Sequence, residues 1–135
     1  MLLREIAQYL NDQGIGTYTE ADTTGNIYID LLPEITETIC IKQTSGSQGD
    51  SKLQFSLPRI QILYRGDINQ ITSRQKAYDI IALLHGFNQN RFVTNGYYIN
   101  SCFNINSGAI YLNQDENGNH MYSMNFDIDY ENLDF

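Results

Sequence analysis

The strictest constraint on this 135-residue chain lies near its C-terminus, where Tyr122, Met124, Phe126, Ile128 and Tyr130 alternate with Ser123, Asn125, Asp127 and Asp129. Successive side chains of a strand point to opposite faces, so the run predicts a strand with one apolar and one wet face. Such a strand needs partners for its backbone groups and a cover for its apolar side. Upstream runs supply candidates. Arg59–Arg65 predicts a strand with Ile60, Ile62 and Tyr64 on one face, Pro58 marking its start, and Leu63 on the other face beneath a helix. Leu53, Phe55 and Leu57 precede it. Ile27, Ile29 and Leu31, then a break at Pro33, then Thr38–Thr44 with Ile39 and Ile41, predict two strands joined by a short polar connection. Tyr97–Ile105 alternates as well, and Ala109–Asn113 predicts a further short strand after Ser107-Gly108.

Two segments carry helical spacing instead. Leu2, Leu3, Ile6, Ala7 and Leu10 share a face, and Asn11-Asp12-Gln13-Gly14 ends the run with a glycine suited to a left-handed cap. Ala77, Ile80, Ile81 and Leu84 recur at i, i+3, i+4 and i+7, with Thr72 or Ser73 as the expected cap and His85-Gly86 as the stop. Asp115-Glu116-Asn117-Gly118-Asn119 contains an Asn-Gly step that predicts a type I′ hairpin turn. The segregated order of helix, strands, helix, strands predicts an α+β fold: a single mixed, mostly antiparallel β-sheet with two main helices packed on one face. Ser45-Gly46-Ser47-Gln48-Gly49-Asp50-Ser51 has no large apolar side chain and predicts an exposed loop.

The length fits one domain over residues 1–135, since a chain of this size buries roughly two thirds of its unfolded surface. With 41% hydrophobic and 18% charged residues the composition is globular. No apolar stretch approaches the roughly 20 residues needed to cross a bilayer, and the opening Met1–Glu5 is interrupted before a secretory apolar region forms. The expectation is a protein made and kept in a cytoplasm, without a membrane partner. The net charge is −8, and every fixed charge after Arg91 is acidic: Asp115, Glu116, Asp127, Asp129, Glu131 and Asp134. Such a field repels phosphate backbones, which argues against nucleic-acid binding as the main task.

Constellations of reactive residues are sparse. His85 and His120 have no second His or Cys at ligand spacing, and His85 reads as a charge partner for a helix C-terminus. Cys40 and Cys102 lack a CxxC step and read as free, half-buried thiols. The Asp115–Asn119 segment has no Glu twelve residues along, so a hairpin is favoured over a calcium loop. Asp127, Asp129 and Glu131 read as the wet face of an edge strand that discourages edge association. No GxSxG elbow, phosphate loop or dinucleotide fingerprint occurs. The expectation is no catalytic residue, no cofactor, no metal and no enzymatic activity.

The ordered set of segments resembles the minor capsid or tail-terminator family of bacteriophages and prophages. The resemblance rests on the helix Leu2–Leu10, the strand and Pro of Ile27–Pro33, and Ile39-Cys40-Ile41 before the Ser45–Ser51 segment. It continues through Pro58-Arg59-Ile60-Gln61-Ile62-Leu63-Tyr64-Arg65-Gly66, a helix with Ala77-Tyr78 and Leu83-Leu84-His85-Gly86, and Asp115-Glu116-Asn117-Gly118 leading to Met124-Asn125-Phe126-Asp127-Ile128. The set departs from the family pattern at Ser107–Asn113, where relatives carry Pro followed by Leu-Gly-Asp.

The resemblance implies a structural virion protein that forms a homo-oligomeric ring, usually six subunits. The ring would cap the tail tube and join it to the head connector, with DNA only as passing cargo. Closed rings arise when one patch meets a different patch on the next copy, and Ser45, Gly46, Ser47, Gln48, Gly49, Asp50 and Ser51 are the expected contact with that copy. Two alternatives stand beside it: a head-completion or adaptor protein on the connector side, and a small acidic host-directed inhibitor that mimics DNA charge.

Overall fold

A computed structural model describes residues 2–19, 25–34, 37–47, 55–85 and 97–132. It is an α+β fold with helices α1 (Leu2–Asp12) and α2 (Gln70–Leu84) and strands β1 (Ile27–Ile29), β2 (Thr38–Ser47), β3 (Phe55–Arg65), β4 (Tyr97–Gln114) and β5 (His120–Asn132). The five strands form one sheet in the order β1-β2-β3-β5-β4. Every pairing is antiparallel except β1 with β2.

The alternating patterns become rows across this sheet. Ile27, Ile39, Tyr64 and Tyr122 stand opposite one another in successive strands, as do Ile41, Ile62 and Met124, and then Ile60 and Phe126. These side chains join one buried cluster with Leu2, Leu3, Ile6, Ala7 and Leu10 of α1 and with Ala77, Ile80 and Leu84 of α2. Both helices therefore cover the same face, α1 over β1 and β2, α2 over β4 and β5. The opposite face at Cys40 is approached by the connection after β1, where the backbone of Asp30 and Leu31 lies against the thiol. No helix covers that face among the described residues. The expectation of one above Leu63 is corrected, because both helices pack on the face of Ile60, Ile62 and Tyr64 and Leu63 points to the other.

Local chemistry explains the element ends. α1 closes as a Schellman motif: Gly14 takes φ 81°, its N–H bonds the Asn11 carbonyl at 3.0 Å, and Ile15 N–H bonds the Leu10 carbonyl at 3.1 Å. α2 begins earlier than its apolar spacing suggests, since Asn69, not Thr72 or Ser73, is the cap and its side chain accepts from Thr72 N–H. The parallel β1–β2 pair is joined by residues 30–37, and Asp30 and Glu37 at its two ends are, among the described residues, the non-glycine residues with positive φ, 60° and 56°. β1 accordingly stops at Ile29 and does not reach Leu31.

Four sequence expectations are corrected by backbone pairing. Ser45, Gly46 and Ser47 are not loop but the end of β2, opposite Arg59, Pro58 and Leu57; a ladder needs backbone groups, not large side chains. Gln48–Ser51 lie outside the described residues. Pro58 lies inside β3, and the β3–β5 register is the same at Ser56↔Tyr130 as at Arg59↔Asp127. Tyr97–Ile105 and Ala109–Asn113 are one strand, interrupted by a wide bulge between Ile105 and Ile110. β5 is an inner strand between β3 and β4, so its acids guard no edge, and Asp127 instead pairs with Arg59 at 3.0 Å.

Candidate functional site

The two segments most specific to the resemblance, Arg65-Gly66 and Asp115-Glu116-Asn117-Gly118, meet at one end of the sheet. Gly66 N–H donates to the His120 carbonyl at 2.8 Å and His120 N–H to the Asp67 carbonyl at 3.1 Å, which ties the β3–α2 junction to the β4–β5 hairpin. Arg65 is 8% exposed. Its Nε lies 3.1 Å from Asp115 Oδ2, an ion-pair contact off hydrogen-bond alignment, and its Nη1 donates to the Pro33 carbonyl. One guanidinium thus fastens three segments distant in the chain.

The hairpin is organised around Asp115. Its Oδ1 accepts the backbone N–H of Asn117 and of Asn119 at 2.9 Å each, and Oδ2 accepts the Asn119 side-chain amide at 3.2 Å. Only Gly118 of this turn has positive φ, 84°, so the expected two-residue type I′ turn is replaced by a longer connection whose amides the carboxylate satisfies. Desolvation acts to raise the Asp115 carboxyl, but the Asn119 and Asn117 donors and the Arg65 charge outweigh it and hold it below its ordinary value. Surrounded by donors, Asp115 is set to hold a turn and to face the Arg65 guanidinium. A polar cleft of about 300 Å³ lies here between Glu34, Arg65 and the hairpin.

Gly66 has a packing reason to be glycine. A Cβ there would stand 2.2 Å from Ser73 Oγ and 2.6 Å from Ser73 Cβ. Ser73 is buried in the first turns of α2, and its Oγ accepts from Asp67 N–H at 3.0 Å. Gly66→Ala is therefore expected to lose roughly 1–3 kcal/mol of stability through overpacking. Ser73→Gly in the same chain should recover part of that loss in a double-mutant cycle read by urea denaturation; additive losses would show that the two residues do not collide.

The remaining singled-out residues are dispersed. His85 Nδ1 accepts the Asn104 N–H at 2.9 Å, so the ring brackets the end of α2 to β4. His120 Nδ1 meets Tyr111 Oη at 3.0 Å. Cys40 and Cys102 are fully buried on opposite faces, with two strands between β2 and β4. Three strand spacings, roughly 14 Å, exceed disulfide reach. Burial raises both thiols, Cys102 to about 12 with Asp127 adding to the shift. Among the described residues no three His, Cys, Asp or Glu side chains come together as a metal site, and no helix is long and apolar enough to cross a membrane.

What the sequence reading missed is the edge strand itself. β4 runs for 18 residues without one charged side chain, and that silence was legible in the sequence, but its meaning depends on β4 being outermost.

The described residues thus form an α+β sheet in which a buried guanidinium, a turn carboxylate and the junction backbone tie β3, α2 and the β4–β5 hairpin together. Residues 9–132 match the bacteriophage tail terminator protein family, and the chain belongs to that family. It is thereby a tailed-phage structural protein and a virion component that works with other phage head and tail proteins. None of the curated proteins compared with it matches it significantly.

Proposed function

We propose that this chain is a non-enzymatic subunit of a closed ring, six copies being the expected number, seated on the end of the tail tube. There the ring halts tube growth and offers a surface to the head connector. Family membership over residues 9–132 carries the reading, and the fastening of its two most specific segments into one junction supports it. The acidic chain flanks passing DNA without gripping phosphate. Assembly takes place in the bacterial cytoplasm, with no membrane stage. Electron microscopy of tails from a phage lacking the gene tests this: tubes of uncontrolled length without heads are expected, and uniform, head-joined tails would overturn it.

Ser45–Ser51 is the first proposed contact with a neighbouring copy. Ser45–Ser47 hold a ladder with β3, so the segment starts from a rigid sheet. Replacing Gln48–Ser51 with a short Gly-Ser connector should shift unfolding by less than roughly 1 kcal/mol, because loop-closure entropy changes slowly with length, while ring formation fails. Normal assembly of that variant would remove the segment from the interface.

A further inference from the structure

The two ends of the sheet differ sharply in charge. The described residues up to Ile41, which form α1, β1 and the start of β2, hold five acidic side chains against one basic, Arg4. Asp12, Asp30, Glu34 and Glu37 are exposed there. At the other end β4 carries no charge at all, and α2 beside it has Arg74 and Lys76 against Asp79.

The β4 end is also apolar and open. Among the described residues β4 has a single ladder neighbour, β5. Outermost strands are normally blunted with charge, proline or cover. Here His85 caps the edge at Asn104, whereas the half beyond the bulge exposes Ile110, Tyr111 and Leu112. Tyr78 of α2 is set into that bulge, where a Cβ on Gly108 would fall 2.9 Å from its Oη, and Arg74 lies over the Tyr78 ring at 5.7 Å. Ile71, 82% exposed, lies on the other flank of α2, in a cleft with Glu37 and Tyr64. The opposite edge of the sheet is not equivalent, because Tyr18 bridges to Ile27 on β1.

We propose that the Ile110–Leu112 half of β4, with Arg74 of α2, docks against the acidic α1–β1 end of a second copy of this chain. The inference rests on the ring reading and names its surfaces. Copies bearing −8 each repel, so a contact between them must run through surface that is uncharged or basic on one side. The β4–α2 end fits that requirement, and the exposed Arg74 complements carboxylates. Because the two surfaces are different, the contact is head-to-tail, the kind that closes into rings.

The test uses two full-length double variants, Ile110→Lys/Leu112→Lys and Asp12→Lys/Glu34→Lys, with sedimentation velocity as the readout and the urea midpoint as the folding control. Each variant alone should remain a monomer under conditions where the unaltered chain forms rings, and an equimolar mixture should form a 1:1 dimer and nothing larger, since each partner keeps one competent surface. If the β4 pair unfolds the chain, Arg74→Glu on the exposed face of α2 takes its place, with at least a tenfold loss of association expected. Rings from the β4 variant, or a mixture that stays monomeric, would overturn the pairing while leaving the ring intact. Rings that form but no longer bind tail tubes would assign the edge to the tube protein and overturn it equally. An unaltered chain that stays monomeric even with tail tubes would instead sink the ring reading on which the pairing rests.

Discussion

Replacing Phe126 with alanine is expected to cost about 3–5 kcal/mol, the usual range for deleting a buried aromatic ring. Phe126 is 1% exposed on the inner strand β5, opposite Ile60 of β3, and belongs to the cluster that both helices cover. Close-packed neighbours relax only partly into the space left behind, so the cavity adds to the lost transfer free energy. Urea denaturation followed by circular dichroism should show a lower midpoint with an unchanged slope. Phe103→Ala on β4, where the ring is 52% exposed, should cost less than about 1 kcal/mol. Equal losses in the two variants would mean that the faces of β5 and β4 are assigned wrongly.

The second large effect belongs to Arg65. Arg65→Ala leaves the Pro33 carbonyl and the Asp115 carboxylate without their cation, and removing one partner from a buried polar contact costs roughly 2–3 kcal/mol. Its pH dependence follows from Asp115. The folded-state pKa of that carboxyl lies below its ordinary 3.8, so its contribution is fully present above about pH 4 and is lost as pH falls through the lower folded-state value. Urea midpoints measured between about pH 2 and 5 should fall less steeply for Asp115→Asn than for the unaltered chain. Identical acid limbs would show that Asp115 is no more stabilised folded than unfolded.

Much of this protein is written locally. The parity of Tyr122, Met124, Phe126 and Ile128 assigned their face correctly, and so did that of Ile60, Ile62 and Tyr64, because side-chain alternation is a property of a single strand. The core face of α1 and its glycine stop were equally legible, since spacing and cap geometry act within a few residues. Strand order was not legible, because it depends on which pairings let distant segments close one core. Only the tertiary structure put β5 inside and β4 outside, turning Asp127 from an edge guard into the partner of Arg59 and the uncharged run Tyr97–Gln114 into the outermost of the described strands. It alone decided that β1 pairs parallel with β2, that Ser45–Ser47 and Pro58 belong to strands, and that Arg65 meets Asp115. Periodicity reports a residue's own face; only packing chooses the neighbour that the face will meet.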